Sequence, residues 1–147
     1  MTIVGDVLVC PKWNSKNLEF YSLRDPTSPE LISTVALTST TYNAYEPVID
    51  GNLVWVIADT DGLAGNQNLF CIDITDIRNP VEVSSYLIPG LGDSRRLVIK
   101  GKYLFTGGFG VASRFRVIDI SDPTTPSVVY THATDQGAYL EVCGDYL

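Results

Sequence analysis

Basic residues are scarce in this chain. Its 10 lysines and arginines stand against 17 aspartates and glutamates, for a formal net charge of −7. Nucleic acid and anionic membrane surfaces both reward clustered Lys and Arg, so this balance argues against either partner. Histidine is scarcer still, and His132 is the only one. A Ser–His–Asp triad or a metal–His site would have to rest on it alone. It falls in an outer strand-like run, SVVYTH, and reads as a surface residue. The three cysteines, Cys10, Cys71 and Cys143, are odd in number and far apart. They make neither a zinc pattern nor a disulfide framework and read as free thiols, packed like small hydrophobes. No stretch approaches the ~20 apolar residues of a membrane-spanning helix. The opening MTIVGDVLVC has no basic start and reaches charge at Asp6, so it does not read as a signal peptide. A sustained 3.6-residue period is also missing, and essentially no helix is expected.

What is present is repetition. The hydrophobic fraction of 45% is ordinary for a folded chain, and a chain of 147 residues can bury about 70% of its unfolded surface. Three near-copies of one motif end in a D-x-x-x-P turn: LEFYSLRDPTSP from Leu18, LFCIDITDIRNP from Leu69 and FRVIDISDPTTP from Phe115. Their turn aspartates, Asp25, Asp76 and Asp122, are 51 and 46 residues apart. A second marker precedes each motif. An apolar pair leads into a tight Gly turn and an alternating strand, as in IVGDVLV, VIDGNLVWV, VIKGKYLF and EVCGDYL. The glycines Gly5, Gly51, Gly101 and Gly144 are 46, 50 and 43 residues apart.

Each repeat resolves into four short strands, A to D. Strand A is expected at 45–50, 95–100 and 139–143; strand B at 7–10, 53–58 and 103–106. Strand C is expected at 18–23, 69–74 and 115–120, and strand D at 30–35, 81–87 and 128–132. The Gly turns join A to B, and the Asp-Pro turns join C to D. Four antiparallel strands in roughly 45 residues predict an all-β fold of β-propeller blades. The repeats are expected at about 1–44, 45–94 and 95–138, with the next one starting at 139–147. A ring needs ~4–8 blades. Three blades are therefore expected to form part of a ring, completed by a longer parent chain or by an oligomer.

The strand C motif is the recognisable part. IDISDPTTP at 118–126 and IDITD at 72–76, with the preceding Gly-led strand, resemble the LVIVD repeat family. The first copy departs from the pattern, with Ser22 in the usual Asp place and Arg24 in the Ser/Thr place. The resemblance implies β-propeller domains of bacterial or archaeal proteins, often exported or attached to the cell surface. It carries no shared enzymatic activity and no functional residue.

Connectivity sorts the loops onto two faces. The A–B and C–D turns share one face and are tight. The B–C and D–A segments share the other and are long and varied, among them CPKWNSKN, DTDGLAGNQN, GGFGVASR and PGLGDSRR. Varied loops on a constant scaffold are where binding concentrates. Candidate binding residues on that face are Trp13, Asn14, Tyr45, Glu46 and Asp93. Arg95, Arg96, Phe109, Arg114 and Tyr139 complete the set. Glu46, Arg96 and Tyr139 occupy one equivalent position at the start of strand A, the strand nearest a propeller's axis.

Asp59, Asp61 and Asn66 gather hard oxygen ligands of the kind calcium prefers. Leu63 occupies the fifth position, however, and no Glu closes the site, so the segment reads as a polar turn. Paired D-x-x-D steps, Asp73 with Asp76 and Asp119 with Asp122, look like acid–base pairs. They recur once per repeat at the turn, which assigns them to backbone hydrogen bonding. Trp55 alternates into strand B and reads as blade packing. The functional reading is a non-enzymatic module for protein or carbohydrate binding, within a larger exported or cell-surface protein and with no cofactor. The alternative is part of a propeller enzyme whose channel site is completed by further blades.

Overall fold

A computed structural model describes residues 1–13, 15–38, 41–60, 66–91, 93–109, 114–133 and 140–141. The fold is all-β, with no helix among the described residues. Three antiparallel sheets follow one another along the chain as three blades. Blade 1 holds β1 (Thr2–Val4), β2 (Val7–Pro11), β3 (Asn17–Ser22) and β4 (Glu30–Ala36), in the order β1-β2-β3-β4. Blade 2 holds β5 (Thr41–Ala44), β6 (Val48–Asp50), β7 (Leu53–Thr60), β8 (Asn66–Asp73) and β9 (Val81–Pro89). Its order is β5-β7-β8-β9, with β6 also paired to β7. Blade 3 holds β10 (Asp93–Lys100), β11 (Tyr103–Phe109), β12 (Arg114–Asp119) and β13 (Ser127–Ala133), in the order β10-β11-β12-β13. The expected strand at 139–143 lies outside the described residues, apart from Leu140 and Glu141, which are in no strand.

The same local devices recur in every blade. The A–B hairpins close over two residues, and their leading glycines sit at positive φ: 52° at Gly5, 57° at Gly51 and 58° at Gly101. A Cβ at any of the three would meet nothing within 4 Å, so it is the left-handed backbone rather than crowding that favours glycine there. In the C–D turns the aspartate caps the loop. Asp25 Oδ1 accepts the Thr27 N–H at 2.9 Å and the Thr27 hydroxyl at 2.6 Å. Asp122 does the same with Thr124, and Asp76 accepts the Arg78 N–H at 3.0 Å. One step earlier, Asp73 and Asp119 accept the Thr75 and Ser121 N–H groups at 2.7 and 2.9 Å. The paired aspartates are thus turn devices, as their spacing suggested. The C–D strand pair also slips register at one equivalent point in all three blades: Phe20/Tyr21, Cys71/Ile72 and Val117/Ile118. Such a bulge bends the strand and raises its twist.

Strand side chains alternate between two faces, and the blades stack through them. Val9, Leu18 and Phe20 of blade 1 meet Val54, Val56 and Phe70 of blade 2 in one core cluster. Trp55, Ile57 and Leu69, from the opposite face of blade 2, meet Leu104, Ile118 and Leu97 of blade 3 in a second. Each blade therefore has a forward face, turned to the next blade, and a backward face, turned to the previous one. Blade 2 is covered on both, and residues 54–58 and 69–72 are all fully buried. Two equivalent hydrogen bonds tie the blades at the rim. Ser33 Oγ donates to the Ile77 carbonyl and Ser84 Oγ to the Pro123 carbonyl, each at 2.6 Å. Strand A of blade 2 departs from the expected single strand at 45–50. It is split into β5 and β6 around Pro47, which has no N–H to give a ladder.

The turn carboxyls couple this architecture to pH. The Ser121 hydroxyl and N–H, helped by Lys102, pull the Asp119 carboxyl down to about 2. Hydroxyl, amide and backbone donors lower Asp25, Asp73, Asp76 and Asp122 in the same way. A folded-state value below the unfolded one, about 3.9 for Asp, gives stability that is present above pH 4 and lost as protonation proceeds. Urea midpoints should therefore stay flat on the acid side of neutrality and fall between about pH 4 and pH 2. Asp119→Asn should shrink that fall, and a midpoint indifferent to acid would contradict the coupling.

Candidate functional site

The site is built where the B–C segment of blade 1 meets the inner strands of blades 2 and 3 on the loop-rich face. β10, the inner strand of blade 3, packs against β6, β7 and β8 of blade 2. Just beyond β5, Tyr45 is held by its N–H, which donates to the Ile57 carbonyl at 2.9 Å. Its ring is nearly buried and joins the core cluster between blades 2 and 3. Around it gather several of the residues singled out by the sequence. Trp13, 63% exposed on the B–C segment of blade 1, sets its ring edge-on to Tyr45, with centroids 6.4 Å apart and planes at 72°. The Arg95 guanidinium of blade 3 lies 5.7 Å from the Tyr45 ring centroid, in cation–π range. Arg96 Nε reaches Glu46 Oε2 at 3.4 Å, with both side chains more than 40% exposed. An exposed pair of this kind contributes at most about 1 kcal/mol.

Beneath this surface runs a polar network. The Tyr45 hydroxyl donates to Asp59 Oδ2 at 2.6 Å. Gln67 Nε2 donates to Asp59 Oδ1 at 3.0 Å and to the Ser94 carbonyl at 2.9 Å, while Ser94 N–H donates to Gln67 Oε1 at 2.9 Å. The Ser94 and Thr106 hydroxyls share a short hydrogen bond, and Thr106 Oγ1 donates to the Arg96 carbonyl at 3.0 Å. Arg116, 4% exposed, donates from Nη2 to the Gly90 carbonyl at 3.4 Å. Gln67, Ser94 and Thr106 are buried. The network clamps blade 2 to blade 3 directly under Tyr45 and fixes the backbone that carries Arg95 and Arg96.

Other candidates fall differently. Asp93 pairs with Phe109 across β10 and β11, and Arg114 pairs with Ala133 across β12 and β13, so their backbones sit at the loop ends of blade 3. Asn14, Asp61 and Tyr139 lie outside the described residues, as does Cys143. Of the calcium candidates, Asp59 gives both oxygens to Tyr45 and Gln67, and Asn66 Oδ1 accepts the Gly90 N–H at 3.2 Å. Among the described residues no group of three or more His, Cys, Asp or Glu gathers as a metal would require. Cys71 is a buried free thiol, pushed up to about 12 by burial and by Asp73 and Asp50. Cys10 is also free but only half-buried. His132 is exposed on β13 and lies parallel to the Tyr130 ring, 6.4 Å away. Trp55 is fully buried in the blade 2–blade 3 core, as its alternation suggested.

Two features escaped the sequence reading. The segments read as long loops are shorter than they looked, because β7 runs on to Thr60 and β8 begins at Asn66. Polar residues that suggested a loop are strand residues whose side chains enter the network. The face of tight turns also holds a groove of about 650 Å³ between blades 1 and 2. Asp6, Arg24, Asp25, Glu30, Ile77 and Arg78 are among its lining residues.

Fold and site together define a β-propeller-type repeat module, with residues from three blades gathered on its loop-rich face. Residues 91–134, which span blade 3, match the family model of the LVIVD repeat, so the chain carries an LVIVD repeat. No curated protein matches the chain. No helix among the described residues is long and apolar enough to cross a membrane.

The network's importance is measurable. Gln67→Leu keeps the volume but strands the Ser94 N–H and carbonyl, and should cost about 2 kcal/mol in urea unfolding. Glu46→Ala, which removes the exposed pair with Arg96, should cost less than about 1 kcal/mol. Equal costs for the two would contradict the clamp.

Proposed function

We propose that this chain is a non-enzymatic binding module that captures a protein or carbohydrate partner on the loop-rich face, as part of an exported or cell-surface protein. One observation carries the reading. Trp13, Tyr45, Glu46, Arg95 and Arg96, drawn from three blades, converge on one patch over a rigid, hydrogen-bonded floor. An exposed indole offers a flat apolar surface with one donor, and paired guanidinium and carboxylate groups bind polar partners directionally. Aromatic and Arg side chains of this kind are the ones that dominate binding energy at interfaces. Among the described residues the patch sets no nucleophile beside a base, which favours capture over turnover. The family resemblance is the support for the surface location.

The test compares the wild-type chain with a Trp13→Ala/Arg95→Glu double variant on a glycan array and against a panel of purified surface proteins. The ligands retained by the wild type should be lost, or weakened more than tenfold, in the variant. An Arg24→Glu/Arg78→Glu variant in the opposite groove should bind like the wild type. Ligands that survive the first variant and are lost with the second would move the site to the turn face. Catalytic turnover of any retained ligand would overturn the non-enzymatic reading.

A further inference from the structure

We infer that the two end faces of the blade stack form a self-complementary pair, so that the forward face of blade 3 docks onto the backward face of blade 1 in a second copy of this chain. The contact already exists twice within the molecule. Aligning strands A and B on Gly5, Gly51 and Gly101, and strands C and D on Asp25, Asp76 and Asp122, shows what each end face lacks.

On the backward side, Leu8 of blade 1 corresponds to Val54 and Leu104, and Tyr21 corresponds to Ile72 and Ile118. All four counterparts are fully buried against the preceding blade. Ile3 corresponds to Ile49 and Ile99, so that position is isoleucine in all three blades. Ile49 and Ile99 pack against the inter-blade clusters, whereas Ile3 is 63% exposed. On the forward side, Phe105 of blade 3 corresponds to Val9 and Trp55, and Phe115 to Leu18 and Leu69. These four counterparts too are fully buried against the next blade. In blade 3 the same positions form an aromatic surface that is only half-buried. Phe105 and Phe115 stack at 6.2 Å, and Phe115 meets Tyr130 edge-on at 6.4 Å. Tyr130, 51% exposed, stands where Ser33 and Ser84 donate to the next blade's turn carbonyl.

The residue classes agree as well as the positions. At these positions each internal contact sets apolar forward residues against apolar backward residues, and the two end faces offer the same pairing, except that Glu19, bonded to Tyr21 and Lys12, stands where blade 2 has Phe70 and blade 3 has Arg116. An apolar sheet face left open is an association surface. A forward face meeting a backward face is a heterologous contact, which closes into a ring or grows as a string. Two copies of three blades give six, within the range of ~4–8 in which propellers close.

Sedimentation velocity across a concentration series tests this, using the wild-type chain, Tyr130→Glu and Ile3→Glu. Both substituted side chains are more than half exposed, so each variant should keep the wild-type circular dichroism and melting behaviour. The wild type should self-associate, and either a discrete dimer or a ladder of larger species supports the docking. Each variant alone should associate more than tenfold more weakly. Mixing the two variants should restore a one-to-one pair, since Ile3→Glu keeps an intact forward face and Tyr130→Glu an intact backward face. A wild type that stays monomeric at every concentration overturns the inference, as would be the case if only a further covalently linked blade fits these faces. Variants that associate like the wild type overturn it too. So does a mixture that fails to pair, because that marks a symmetric contact elsewhere.

Discussion

A sheet that is apolar on both faces must be covered on both faces, and that constraint organises this molecule. Burial of apolar surface contributes about 25 cal/mol per Å², so an uncovered face of blade 2 would forfeit a large share of its stabilisation. Val54, Val56 and Phe70 go to blade 1, while Trp55, Ile57 and Leu69 go to blade 3. A slip of one residue in β7 would exchange the two sets and present Trp55 to the space that Val54 fills. The turns serve this register. The left-handed glycines hold the A–B hairpins at two residues, and the capping aspartates hold the C–D turns, so the strands arrive in phase.

The binding patch depends on the same stacking. None of its residues is placed by its own blade alone. Trp13 touches a residue of blade 2, Arg95 lies over that same residue from blade 3, and Glu46 of blade 2 pairs with Arg96 of blade 3. Gln67 and Ser94 are the link between packing and function, because they lock blade 2 to blade 3 with directional bonds where the hydrophobic clusters end. Buried hydrogen bonds fix one geometry more strictly than apolar contacts do. The consequence is a floor that holds its position under an exposed, chemically mixed surface.

Much of the fold was legible in the sequence because its markers are local. Gly51 and Asp76 each specify a turn within a few residues, and the period between copies exposes the blade. The division of blade 2 between two neighbours was not legible, since Val54-Trp55-Val56-Ile57 is a continuous apolar run with no polar face to mark a direction. β5 was missed because TYNA has no alternation, and its partner, β7, lies beyond Pro47. On the site, Trp13, Tyr45, Glu46, Arg95 and Arg96 were named from the sequence as candidates on one face, and the structure brings them into contact there. The network beneath them was not legible, because Gln67 and Ser94 are 27 residues apart and belong to different blades. The one available signal was the polar pair Gln67-Asn68 opening an otherwise apolar strand.

The central claim is that blade 2 is the two-sided core of the stack, while among the described residues each end blade packs against one neighbour only. Native-state hydrogen exchange of the isolated 147-residue chain, resolved by peptide at dilution, tests it most directly. The account predicts the slowest exchange in β7 and β8 and faster exchange in β1 and β13, which are edge strands of the end blades. Uniform protection across the three blades, or slowest exchange in blade 1 or blade 3, would contradict it.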